Sequence, residues 1–255
     1  MSNHREGAAL VTGAARRIGS AIARDLADAG WPVAIHANTS HESAEALAEE
    51  IRAAGGKAQV LLADLRDTDA LADLMTRAGT ALGPVTLLVN NASIFEHDDI
   101  GTLDEVRFDD HFAVHVRAPC FLAKTMAEAL PDGMTGNIVN IIDQRVLKPT
   151  PHFFSYQLSK STLWTATRTL AQALAPRIRV NAIGPGPALA SPRQQPEDFE
   201  AQCATLPLER GPALAEFGHT IRFIVQTPSL TGQILALDGG QHIAWQTPDV
   251  TNIVE

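Results

Sequence analysis

Short apolar runs alternate along the chain with longer stretches whose apolar residues recur every three to four positions. The runs read as buried strands and the longer stretches as amphipathic helices. Ala8–Thr12 is the first strand, followed by a helix from about Ile18 to Ala29. Val33–Ala37 is the second strand, followed by a helix over Ser43–Ala54 with Ser43 as its N-cap and Gly55-Gly56 as its stop. The third pair is Ala58–Leu62 with Asp67–Leu82, closed by Gly83-Pro84. Leu87–Asn90 is a fourth strand, and the long helix Phe108–Leu130 runs up to Pro131-Asp132-Gly133. Asn137–Ile142 and a second long helix, Phe154–Leu174, follow. Arg179–Ile183, a last helix near Ala213–Gln226 and a seventh strand at Gln233–Leu237 complete the series.

Strands that alternate with helices in this way imply an α/β domain: a doubly wound parallel sheet of about seven strands with helices on both faces. No repeat or linker interrupts residues 1–255, so one domain is expected. The irregular stretch 184–211, rich in Pro and Gln, carries a short helix-like piece near Glu197–Thr205 and reads as a lid. Composition narrows the class further. The balance of 20 Lys+Arg against 29 Asp+Glu, net −9, argues against general nucleic-acid binding. Cys120 and Cys203 cannot make a disulfide framework or a four-Cys zinc site, and no metal site is expected. No apolar run approaches the ~18–20 residues of a membrane span. The polar opening Met1–Gly7 lacks a secretory core. A soluble, cytoplasmic protein is the expectation.

The first strand runs into Thr12-Gly13-Ala14-Ala15-Arg16-Arg17-Ile18-Gly19 and then a helix. A strand, a tight small-residue turn and a helix N-terminus form an anion site for a pyrophosphate. The alternative is an ordinary βα turn. The pattern resembles the Thr-Gly-x-x-x-Gly-x-Gly cofactor loop of the short-chain dehydrogenase/reductase family, matching at Thr12, Gly13 and Gly19. It departs at the middle glycine, which is Arg17. An arginine there resembles the pteridine reductase and dihydromonapterin reductase branch, in which it clamps cofactor pyrophosphate and substrate. The resemblance covers roughly Ala8 to Gly240 and implies a Rossmann-type fold. After the second strand, Asn38, Thr39 and Ser40 stand where an NAD-binding protein places an acid, and Arg16 adds charge, so NADPH is the expected cofactor. By the same resemblance Asp64, with Leu65, contacts adenine, and Asn90-Asn91-Ala92 supports the sheet and the ribose. Pro185-Gly186 form a turn beside the nicotinamide. Ile18 and Ser93 are counted with the cofactor site.

The chain's single tyrosine lies in Ser155-Tyr156-Gln157-Leu158-Ser159-Lys160. Tyr and Lys at i and i+4 share a helix face, and a nearby ammonium favours phenolate. The resemblance makes Tyr156 the catalytic acid and Lys160 both its tuning cation and a nicotinamide-ribose ligand. Thirteen residues before the tyrosine the family usually has serine; here it is Asp143. An ionised carboxylate cannot donate to a ketone oxygen, but it accepts from N–H groups. It would also oppose Lys160 by raising the phenol's pKa. Asp143 therefore suits a substrate with N–H donors or a C=N bond, such as a 2-amino-4-oxopteridine, and Asp at this place resembles pteridine reductases. Ser93 and Phe95 resemble pterin-site residues of that branch, the ring stacking on the heterocycle. His115 replaces the family's usual Asn of a water relay; it either carries an altered relay or merely packs.

The reading is an NADPH-dependent reductase acting on the C=N bond of a pterin or dihydrofolate-like small molecule. Asp143, Tyr156 and Lys160 are catalytic, and Arg17, Ser93, Phe95, Asp143 and Tyr156 hold substrate. A carbonyl reductase or alcohol dehydrogenase of the same family and a catalytically idle NADP-binding regulator are the alternatives. Homo-oligomerisation as a tetramer is a family expectation.

Overall fold

The computed structural model describes residues 7–191 and 194–246. Seven strands form one parallel sheet in the order β3-β2-β1-β4-β5-β6-β7. They are β1 (Ala8–Val11), β2 (Val33–Ala37), β3 (Ala58–Leu62), β4 (Val85–Asn90), β5 (Gly136–Ile141), β6 (Ile178–Pro185) and β7 (Ile234–Leu237). The apolar strands alternate their side chains between two layers, as a sheet covered on both faces requires. Ala9, Val11, Leu87, Val89 and Val139 pack under α1 (Arg17–Asp28), α2 (His41–Ala53) and, among the later elements, a helix at Leu214–Gln226. Leu10, Leu88, Ile138 and Val180 pack on the other side, under α3 (Thr68–Leu82) and the helices at Ala118–Ala129 and Phe154–Leu174. Strand order reverses between β1 and β4, and a crevice opens beyond the carboxyl ends of the strands at such a switch point.

Three boundaries differ from expectation, each for a local reason. The second helix starts at His41 with Ser40 as N-cap, not Ser43. The Ser43 hydroxyl is instead engaged by Arg16 Nε at 3.0 Å. The long helix expected over 108–130 is three pieces: α4 (Glu105–Phe112), a π-turn over Ala113–Arg117, and α5 (Ala118–Ala129). Asp104 caps α4 by accepting from the Arg107 N–H at 2.9 Å. Pro119, in the first turn of α5, has no N–H for the carbonyl four residues back, and the ladder widens into a π-turn there. The irregular stretch 184–211 begins as strand, because Gly184 and Pro185 pair with Ala236 and Leu237 of β7. Within it lies α7 (Pro196–Ala204). The catalytic-motif helix is α6 (Phe154–Leu174), and α8 (Leu214–Gln226) completes the series.

Candidate active site

The turn after β1 is fixed before any ligand arrives. Thr12 Oγ1 accepts from the N–H groups of Asn91 and Ala92 at 2.9 and 3.0 Å. Asn91 Nδ2 returns two bonds, to the carbonyls of Thr12 and Gly13 at 2.9 and 3.0 Å. Together they lock the ends of β1 and β4 at the switch point. Gly13 has φ +60°, and a Cβ at Gly19 would lie 2.3 Å from the Gly13 carbonyl oxygen, so neither glycine tolerates a side chain. Buried His36 adds a tie that sequence reasoning missed. Its Nδ1 accepts from the Gly13 N–H at 3.1 Å, so Nε2 carries the proton and donates to the Ala63 carbonyl at 3.1 Å. Burial pushes the His36 pKa down to about 4, keeping the ring neutral. One signal was available: His36 is a polar residue in an otherwise apolar strand.

No side chain caps α1 and no acid sits in its first turn, so its N-terminal N–H groups and dipole face the crevice without a resident anion. Arg17 stands at that entry with φ 56°, the left-handed region. Its guanidinium donates across the crevice to the carbonyls of Ala190 and Leu189 at 3.0 and 3.3 Å. Arg16, held by Ser43, places a second cation over the turn that follows β2. An uncapped helix start flanked by two arginines fits a dinucleotide diphosphate, and an Asn38 turn with a nearby arginine fits a 2′-phosphate better than a 2′-hydroxyl.

The acid–base residues meet at the start of α6. Fully buried Asp98 accepts from the Ser155 N–H at 3.1 Å and from its hydroxyl, fixing the first turn of α6. Phe153, the residue before the helix, has φ 58°. Tyr156 Oη then donates to Asp143 Oδ2 at 2.8 Å, and Asp143 Oδ1 accepts from the Arg145 N–H at 2.8 Å. Lys160 Nζ donates to the Ile141 carbonyl at 2.8 Å and lies 5.7 Å from the Tyr156 ring centroid. Of the two opposed influences expected on the phenol, Lys160 downward and Asp143 upward, the upward one prevails. Burial and the Asp143 carboxylate hold the phenol well above its ordinary pKa, and the ammonium is bonded to backbone beside the ring. Burial likewise raises the Asp143 carboxyl and lowers Lys160 to about 8.

His115 sits buried in the π-turn. The Ile94 N–H donates to its Nε2 at 3.0 Å, so Nδ1 carries the proton and donates to Ser159 Oγ at 2.8 Å. Ser93 Oγ lies 3.0 Å from the same Nε2, and the Ser159 hydroxyl donates to the Tyr156 carbonyl at 2.8 Å. Burial lowers the His115 pKa well below the usual histidine range. The ring is a neutral tie between the loop after β4 and the first turns of α6. Phe95 stacks on Phe153 at 4.2 Å between centroids and meets the Tyr156 ring edge-on at 4.8 Å.

These groups line one crevice of about 950 Å³. Of the residues expected at the site, Gly13, Arg16, Arg17, Ile18, Gly19, Asn38, Asp64, Leu65, Asn91, Ala92, Ser93, Phe95, Asp143, Tyr156, Lys160, Pro185 and Gly186 contribute to its wall. Thr39 and Ser40 do not. Asp64 is there with its carboxylate gripped by Arg66 at 2.7 Å. Arg145 and Phe153 belong to the wall and were not expected. Among the described residues no cluster of metal-ligating side chains exists, and no helix is long and apolar enough to cross a membrane.

The model of the short chain dehydrogenases matches residues 7–200. The crystal structure of FolM alternative dihydrofolate reductase 1 from Brucella suis, in complex with NADP, is similar with a TM-score of 0.94 and 57% identity, covering 96% of this chain and 98% of that one. An uncharacterised oxidoreductase of Bacillus subtilis, YjdA, is 31% identical over 94% of this chain and 98% of its own. A 3-oxoacyl-[acyl-carrier-protein] reductase of Staphylococcus epidermidis is 28% identical over 92% of this chain and 98% of its own.

Proposed function

The chain belongs to the short-chain dehydrogenase family, and from that premise we propose that it is an NADPH-dependent reductase of a C=N bond in a dihydropterin or dihydrofolate. The observation that carries this reading is the carboxylate of Asp143, 2.8 Å from the tyrosine hydroxyl. At that place a hydroxyl would donate to a ketone oxygen; a carboxylate repels the oxygen lone pairs and accepts from ring and amino N–H groups. The similarity to an alternative dihydrofolate reductase crystallised with NADP supports the same substrate class.

When bound in the crevice, NADPH would supply the hydride that the ring carbon takes up. The N-terminal N–H groups of α1, with Arg16 and Arg17, would hold its phosphates, and Lys160 would bond its ribose. Phe95 offers an aromatic face for a flat heterocycle. The Asp143–Tyr156 pair supplies the proton that the ring nitrogen gains, so C=N becomes CH–NH. The tyrosine alone is a poor acid because phenolate beside Asp143 is disfavoured. The carboxyl, its pKa raised by burial, is the group that takes a proton from solvent and passes it on. Delivery leaves the carboxylate accepting from the phenol, which is the arrangement of Oδ2 and Oη in the structure.

The test is NADPH oxidation followed in parallel with dihydrofolate, dihydrobiopterin, dihydromonapterin and a ketone panel. Turnover of the reduced pteridines with ketones inert is the expected result. Ketone turnover with the pteridines ignored would establish instead the carbonyl reductase reading, which the similarity to a 3-oxoacyl reductase favours.

A further inference from the structure

Four arginines border the crevice, and three of them are occupied. Arg66 is paired with Asp64 and Asp110 at 2.7 and 3.0 Å, Arg16 donates to Ser43, and Arg17 donates to two backbone carbonyls. Arg145 differs. Its backbone N–H is bonded to Asp143, which sets the residue one turn from the reacting groups. Its guanidinium lies 5.2 Å from the Phe153 centroid and 5.5 Å from that of Phe95, against the stacked pair. Nη1 is buried and has no hydrogen-bond partner, and among the described residues no carboxylate is within ion-pairing distance of the group.

A permanently charged fork that is partly desolvated and lacks an acceptor is an unfavourable arrangement on its own. The phenyl rings offset part of that cost, but they leave the planar donor set unused. The complementary partner for such a fork is a carboxylate, which it binds through two parallel N–H···O bonds. Asp143 feels the charge of the guanidinium, but its oxygens accept from the Arg145 backbone N–H and the Tyr156 hydroxyl and make no hydrogen bond or ion pair with the fork. It also repels a second anion near the reducible bond. A ligand carboxylate therefore belongs beyond the ring, past the aromatic pair.

Resting on the substrate class proposed above, we propose that Arg145 is a specificity-determining residue that pairs with a carboxylate carried on the substituent of the reducible ring. The site then favours folate-type substrates, whose glutamyl tail is anionic, over neutral dihydropterins.

The experiment compares kcat/KM for dihydrofolate and dihydrobiopterin in the wild type, Arg145→Met and Arg145→Lys, with NADPH affinity measured alongside. The readout is the ratio of the two kcat/KM values, so any common loss through Asp143 or through packing cancels. The expected result is a wild type that prefers dihydrofolate and an Arg145→Met ratio lower by about tenfold to a hundredfold, the range of a charge-assisted hydrogen bond. Arg145→Lys, which keeps the charge, should recover much of the preference and show it weakening with added salt. An unchanged ratio in both variants overturns the inference, as does a wild type that reduces dihydrobiopterin and not dihydrofolate; both leave the proposed reductase standing. A wild type that reduces neither substrate overturns the proposed function and this inference with it.

Discussion

Arg17→Gly separates stability from binding at one residue. In the native chain Arg17 holds φ 56°, a conformation that costs a side-chain-bearing residue about 1–2 kcal/mol and glycine almost nothing. The substitution relieves that strain and removes a cation from a helix N-terminus, where the macrodipole opposes it. Against this, it removes two exposed bonds to the carbonyls of Ala190 and Leu189, each contributing about 0.5–1.5 kcal/mol. The two sums nearly cancel, so the stability of the ligand-free protein should change by no more than about 1 kcal/mol. Binding should change far more. Losing a charge-assisted contact to a diphosphate corresponds to about a tenfold to hundredfold weaker Kd. With NADPH at a concentration a hundred times the wild-type Kd, ligand stabilisation is about 2.7 kcal/mol; it falls to roughly 1.4 or 0.4 kcal/mol in the variant. Urea denaturation with and without NADPH, together with a fluorescence titration of the cofactor, measures both quantities. A variant that binds NADPH as tightly as wild type would refute the clamp role. A ligand-free protein destabilised by several kcal/mol would show that the bonds to the carbonyls of Leu189 and Ala190 outweigh the relieved strain.

Three further outcomes follow from the same geometry. Asp143→Asn should lower pteridine reduction by about 10²–10⁴-fold, the worth of a positioned acid, and let Tyr156 ionise at lower pH. With one tyrosine in the chain, the phenolate absorbance band reports that residue alone, and an unshifted titration would mean that burial by itself sets its pKa. Lys160, at about 8, loses its charge as pH rises through that value, so NADPH affinity should fall there in the wild type. Lys160→Ala should bind weakly at every pH, and an identical profile in both proteins would remove the lysine from the cofactor site. Native His36, at about 4 against about 6.5 unfolded, resists protonation, so the unfolded chain binds more protons between those values. Its contribution, about 3 kcal/mol, is complete above pH 6.5 and disappears as pH falls toward 4. Denaturation midpoints that stay flat across that window in wild type, or slope equally in His36→Gln, would contradict the assignment.

Much of the fold was legible because it rests on patterns that neighbouring residues alone determine. Apolar runs such as Ala8–Val11 and, but for His36, Val33–Ala37 are best satisfied inside a two-faced sheet, and their order fixed the layers. Boundaries were less legible where a tertiary bond competes with a local one. Ser43 has the side chain of an N-cap, but Arg16 from another element engages it, and Ser40 took the place. Pro119 was visible in the sequence, yet whether a helix kinks, ends or widens at a proline depends on what packs against it. Here the π-turn delivers His115 to Ile94 and Ser159, contacts that no spacing rule contains.

At the site, the legible residues are those that the backbone register places: the glycines of the β1–α1 turn, and Tyr156 with Lys160 on one helix face. What register does not fix is the direction of electrostatic influence. An i,i+4 pair placed the ammonium near the phenol, but the structure puts Lys160 on the Ile141 carbonyl and Asp143 on the hydroxyl. The carboxylate at hydrogen-bond distance therefore outweighs the ammonium beside the ring, and with burial it decides between the two opposed influences. Arg145 and Phe153 were unreadable for a related reason. Their positions follow from a left-handed Phe153 beside the α6 turn that Asp98 anchors from a distant loop, and from a short helical turn capped by Asp143. Identity at three positions, Arg17, Asp143 and Phe95, pointed to a flat nitrogen heterocycle. The geometry around Arg145 extends that to what the heterocycle carries, and a charge without a partner can only be recognised once every other charge in the crevice has been assigned one.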